Sequence, residues 1–112
     1  MTDTESMQYY KDLWKKQIQE RDMVLKLKNN REFKELIMKG YLQDFCNRVI
    51  KLSASDKILP EQRERFTRAA QATAFFEEYM DGIVLKGNAA EKSLQDLDMQ
   101  ESQKEVSYNY EV

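Results

Sequence analysis

Histidine is absent from the 112 residues, and the chain has a single cysteine, a single proline and three glycines. Each shortage removes a class of chemistry. Without histidine there is no usual general base near neutral pH, no imidazole metal ligand and no Ser–His or Cys–His nucleophile pair. Di-iron bundles built on Glu-x-x-His fall with it. One cysteine, Cys46, can form neither an internal disulfide nor a thiolate zinc site, and this usage fits a reducing compartment. Gly40, Gly82 and Gly87 are scattered and make neither a G-x-G-x-x-G nor a P-loop. No apolar run approaches the roughly 20 residues that span a bilayer. The opening Met-Thr-Asp-Thr-Glu-Ser is acidic and lacks the basic and apolar regions of a signal peptide. The expectation is a cytosolic protein, not an enzyme, with no catalytic residues, no cofactor and no metal.

Hydrophobic residues make up 41% and charged residues 34%, a balance rich in Leu, Lys, Glu and Gln that favours helices because straight side chains lose little rotamer freedom there. An all-α fold is expected. A chain of this size buries only about 60–65% of its unfolded surface, so spare apolar surface would seek a partner or a second copy. The formal net charge is −2, but it is uneven. From Asn88 onward six acids (Glu91, Asp96, Asp98, Glu101, Glu105 and Glu111) face Lys92 and Lys104, giving −4 and leaving +2 for residues 1–87.

Hydrophobic spacing predicts three helices, about 5–28, 30–52 and 60–85, forming a helical domain over residues 1–87. The first begins near Thr4 or Ser6. Its apolar residues Met7, Tyr10, Trp14, Ile18 and Leu25 make a narrow stripe, interrupted at Arg21, that suits a coiled-coil seam or a docking helix. These five residues are the first candidates for partner binding. Asn29, three residues before Glu32, is the expected cap of the second helix. There Phe33, Ile37, Tyr41, Phe45 and Val49 form one row, widened by Leu36, Leu42, Cys46, Ile50 and Leu52. Cys46 reads as a small buried hydrophobe in that face. Gly40 inside this helix points either to close approach of another helix or to simple neutral drift. Ser53–Asp56 breaks the pattern and Pro60 opens the third helix, where a missing N–H costs nothing. Phe66, Ala69, Ala70, Thr73, Phe76, Tyr79, Met80 and Ile83 recur at threes and fours, and Gly87 is the expected C-terminal cap. A connection of about seven residues makes helices two and three an antiparallel αα-hairpin, preceded by the long amphipathic first helix.

Residues 88–112 carry little apolar bulk and are expected to form a flexible acidic tail, disordered or weakly helical. Its end, Val106–Val112, alternates with period two, so Val106, Tyr108, Tyr110 and Val112 could dock as a strand on a partner's sheet edge, the second set of partner-binding candidates, although a frayed terminus is the plainer reading. Glu77, Glu78 and Asp81 are the best carboxylate cluster and read as a solvated face. Lys11, Lys15, Lys26 and Arg31, near Tyr9, Tyr10 and Trp14, could contact phosphates and bases, but intervening acids dilute their field. Nucleic-acid binding is the weaker reading of that face, and its apolar stripe is too narrow for insertion at a membrane surface.

Phe33, Leu36, Ile37, Gly40, Tyr41 and Asp44, followed by the Pro60 turn and then Phe76 and Tyr79, resemble small helical-hairpin proteins encoded among the head and packaging genes of tailed bacteriophages. The resemblance covers residues 32–83 and carries no catalytic or ligand residues. It implies a non-enzymatic structural or assembly protein of a phage particle, made in the bacterial host cytoplasm or carried in the virion. Such a protein binds capsid, portal or tail proteins and forms homo-oligomers. A small regulatory protein that inhibits a host enzyme is an alternative of a different class, and a DNA-packaging accessory protein is a third.

Overall fold

The computed structural model describes residues 2–111, with side chains through Lys104. The fold is all-α, with no strand among the described residues. In chain order the elements are α1 (Asp3–Asn29), α2 (Arg31–Phe33), a π-helix (Lys34–Phe45), α3 (Cys46–Ser53) and α4 (Pro60–Glu111). The middle three follow one another without a break, so the chain makes three helical runs. It divides into two compact units: the chain up to Met23 together with the chain from Ile83, and Val24–Gly82.

Local sequence explains the helix starts. The Thr2 hydroxyl accepts the Glu5 backbone N–H at 3.1 Å, while the Glu5 carboxylate accepts the Thr2 N–H at 3.2 Å. This is a reciprocal capping box, and it starts α1 two residues before the expected position, at the Thr-x-x-Glu that begins at Thr2. In the second run the cap is Asn30, not Asn29. Its side chain accepts the Phe33 N–H at 2.8 Å from an extended backbone, satisfying one of the unpaired donors of the first turn. Pro60 opens α4 as expected, and the Gln62 side chain reaches back to accept the Leu59 N–H at 3.1 Å.

In the first unit, the expectation of a helix ending near Leu85 and a flexible tail from Asn88 is corrected. Helix α4 continues through Gly87 to Glu111. Ile83, Gly87, Ala90, Leu94 and Leu97 recur at spacings of four, three, four and three, and all five are buried or half-buried. Such a repeat keeps one stripe facing a neighbouring helix. Here that helix is the first part of α1, running antiparallel: Lys11 pairs with Glu101 at 3.1 Å, and Arg21 with Glu91 at 2.7 Å. Gly87 is therefore not a cap. Its φ is not positive, as a left-handed cap would require, and it is buried within the helix.

The second unit contains the end of α1, the run Arg31–Ser53 and the first part of α4. Leu42, Val49, Thr73 and Met80 are buried in it, and Val24 joins them. The Tyr41 ring stacks on Phe45 at 5.7 Å between centroids and meets Phe76 edge-on at 6.1 Å. Arg63 ties the connecting loop to α4 by donating to the carbonyls of Ser53 at 3.0 Å and Ser55 at 2.9 Å. Thr73, only 2% exposed, satisfies its hydroxyl within the helix by donating to the Ala70 carbonyl at 2.7 Å.

The π-helix has a cause in the residue pattern. Phe33, Ile37, Tyr41, Phe45 and Val49 recur every four residues. On an α-helix of 3.6 residues per turn such a row drifts by about 40° at each step, or about 160° from Phe33 to Val49. Underwinding the backbone between them lets the row stay on one side. A mismatch between hydrophobic period and helical period is resolved by changing the helix. Gly40 sits in this stretch, and its expected role is also corrected. A Cβ there would meet no other helix. It would stand 3.1 Å from the carbonyl oxygen of Glu35, in its own π-turn.

Candidate functional site

Two places in the molecule gather side chains that the fold does not explain by burial of apolar surface alone. The first is a polar cluster at Arg21, within the first unit. α1 presents Arg21 on the buried stripe, between Ile18 and Val24, at the position where the sequence pattern is interrupted. Arg21 is 8% exposed. Its Nη1 donates to Glu91 Oε2 at 2.7 Å and to Asn88 Oδ1 at 3.1 Å, both on α4. Its Nε donates to Asp22 Oδ1 at 3.1 Å. No buried side-chain polar atom lacks a partner among the described residues.

Gly87 makes this cluster possible. A Cβ at Gly87 would collide with the Arg21 Cβ and lie 2.9 Å from its Cγ and Cδ. The aliphatic stem of Arg21 thus lies across the bare backbone of α4 and carries the guanidinium to Asn88 and Glu91, one and four residues further along. A long side chain that buries its stem while its head finds carboxylates keeps its charge solvated by the protein. The hydrogen bond that Arg21 donates to Glu91 raises the Arg21 pKa further, burial opposes it, and Asp22 adds a smaller upward push. A guanidinium keeps its proton in proteins, so Arg21 serves here as a donor and a fixed positive charge. The cluster fixes the register of α1 against α4 within the first unit.

The second place is an exposed aromatic stripe on α4, within the second unit. Phe75 and Tyr79, one turn apart on the same face, are 66% and 69% exposed, and Ala72 extends the stripe. The Phe76 ring, which meets Tyr41, is half-buried, as is Tyr41. The hydrophobic spacing placed Phe76 and Tyr79 in one apolar group, and the structure separates them. A third feature of the same unit is an open groove of about 520 Å³ lined by Asp44, Asn47, Arg48, Lys51, Leu52 and Ser55. The Arg48 guanidinium lies 5.4 Å from the centre of the Phe45 ring, within range of a cation–π contact.

The residues singled out from the sequence are distributed as follows. Met7, Tyr10 and Leu25 are exposed, while Trp14 and Ile18 are half-buried. Tyr9, Tyr10 and Trp14 form a short aromatic ladder, with centroids 5.4 and 6.0 Å apart. The side chains of Val106, Tyr108, Tyr110 and Val112 lie outside those described, and the backbone of α4 is helical to Glu111. Lys15, Lys26 and Arg31 are exposed, and Lys11 is half-buried beside Glu101. Glu77 and Glu78 are exposed, and Asp81 accepts from Lys28 at 3.4 Å. Cys46 is half-buried, less enclosed than its place in the apolar row suggested. Among the described residues no group of three or more His, Cys, Asp or Glu side chains is placed to hold a metal ion, and no helix is long and apolar enough to cross a membrane.

Sequence reasoning missed Arg21 and Gly87. A signal was present. The four-three spacing of α4 continues unbroken through Gly87 and Ala90, and a glycine on one buried stripe matched by an arginine on another is the pattern of a close crossing. No protein-family model matches the chain, and no curated protein or solved structure is significantly similar to it.

Proposed function

We propose that the chain is a non-catalytic interaction protein that docks on a larger protein through the α4 stripe of Phe75, Tyr79 and Ala72. The observation that carries this reading is the exposure of two aromatic rings one turn apart on a helix whose neighbouring residues Thr73, Phe76 and Met80 pack into the core. Aromatic anchors of this kind supply most of the binding energy at protein interfaces, because they remove a large area from water at low entropic cost. Met7 and Tyr10 on α1 offer a second, smaller contact. The resemblance of residues 32–83 to hairpin proteins of tailed phages favours a virion protein as the partner and an αα-hairpin as the arrangement that presents the stripe.

The test is binding of the full chain and of a Phe75→Ser/Tyr79→Ser variant to purified phage capsid, portal and tail proteins. Both positions are exposed, so the variant should keep the parent's stability to within about 0.5 kcal/mol. Binding by the parent and its loss in the variant support the reading. Equal binding by both removes the stripe from it. Stoichiometric binding to a soluble host enzyme, with none to virion proteins, makes the chain an inhibitor instead.

A further inference from the structure

The run Lys34–Phe45 is under two opposing demands. Lys34, Glu35, Leu36, Met38, Lys39, Leu42 and Gln43 are strong α-helix formers, so local preference asks for i→i+4 bonds. The apolar row from Phe33 to Val49, with its period of four, asks for an underwound helix. In the structure the row prevails over 12 residues, where π-helical turns ordinarily occur singly inside α-helices and often at functional sites. The run is flanked on both sides by α-helix, and its last bond is shared. The Cys46 N–H points at the carbonyls of Tyr41 and Gln43, five and three residues back. Nothing covalent holds the π form: the run contains no proline and no disulfide.

We propose that this segment is a two-state element, π-helical in the free protein and able to rewind to α, and that rewinding uncovers the aromatic cluster of Tyr41, Phe45 and Phe76. The physical reason is geometric. An α-helical turn advances further and holds fewer residues than a π turn, so rewinding lengthens the run and rotates residues after Gly40 against those before it. Phe33 and Val49 can then no longer face the same side, and the stacked pair Tyr41–Phe45 must leave its place against Phe76. The rings would come to the surface of the helical unit that also carries Phe75 and Tyr79. The two-state behaviour is a property of the free chain and stands whether or not the α4 stripe is a docking surface.

Gly40 is the handle for the test. In the π form a Cβ at this position stands 3.1 Å from the Glu35 carbonyl oxygen, closer than side chains normally approach. In the α form that crowding is absent and alanine is favoured over glycine by roughly fivefold. Gly40→Ala should therefore move the equilibrium toward α, while Lys39→Ala, at the exposed neighbouring position, should leave it unchanged. Scalar couplings measured across hydrogen bonds by NMR on the full chain identify donor and acceptor directly. The expected result is i→i−5 couplings between residues 34 and 46 in the wild type and in Lys39→Ala, with i→i−4 couplings in Gly40→Ala. A severalfold rise in the fluorescence of a bound hydrophobic dye should accompany the change. Only i→i−4 couplings in the wild type, or unchanged i→i−5 couplings in Gly40→Ala, overturn the proposal. Rewinding without added dye binding overturns the part concerning the aromatic cluster. Should Gly40→Ala not fold, saturation-transfer NMR on the wild type decides. A minor state of roughly 0.1–10% confined to residues 34–46 supports the two-state element, and its absence overturns it.

Discussion

The two compact units solve the packing of helices in opposite ways. In the unit containing the ends of the chain, the helices meet over small residues. Gly87 and Ala90 present almost bare backbone, and the stem of Arg21 fills the space. In the unit Val24–Gly82, the filling is by large rings, and the backbone adjusts to them by underwinding between Lys34 and Phe45. Where the side chain is fixed and long, the facing residue shrinks. Where the row of side chains has the wrong period, the helix changes. The first solution admits no substitution at its closest point, whereas the second has slack in the main chain and can absorb some.

The glycines expose this difference most sharply. Gly87→Ala puts a methyl group into the Arg21 stem and forces the two helices apart. Overpacking of this kind should cost roughly 2–4 kcal/mol, read as a fall in the urea midpoint. Phe76→Leu, in the other unit, removes the edge-on contact with Tyr41 and should cost about 1 kcal/mol in the same measurement. Gly82, five residues before Gly87 on the same helix, has open space where its Cβ would be. Gly82→Ala should therefore raise stability by up to about 1 kcal/mol, because alanine loses less backbone entropy in a helix. An equal sign for Gly82→Ala and Gly87→Ala would break the contrast drawn between the two units. The smallest effect is expected at Lys11→Ala, which removes a partly exposed ion pair with Glu101 and should change stability by less than about 1 kcal/mol, with the change shrinking in high salt.

The Arg21 cluster adds a test of coupling. Arg21→Met and Glu91→Gln should each destabilise the first unit. Their double variant should lose less than the two single effects added, since both act on one hydrogen bond. Additive losses would mean that Arg21 works through its packed stem alone.

The proline start of α4 and the apolar row of the middle run were legible in the sequence, because each depends on neighbours within a turn or two. The α4 repeat beyond Leu85 was legible too, but a glycine after an apolar run was taken as a cap. Whether a buried glycine ends a helix or admits a neighbour depends on what lies across from it, here Arg21, some 66 residues away in sequence. The split of Phe76 from Phe75 and Tyr79 likewise depends on which side of α4 receives the Tyr41 ring.

By itself, then, the amino-acid sequence determined that the chain is all-α and, to within a residue or two, where its helical runs start. These follow from local propensity, capping and period, which act between residues close in the chain. The tertiary structure alone decided that Arg21 belongs in a helix crossing, that Gly87 receives it, and that Phe75 and Tyr79 stay in water. Each of these is a compromise between two helices, settled only when side chains remote in sequence compete for the same space.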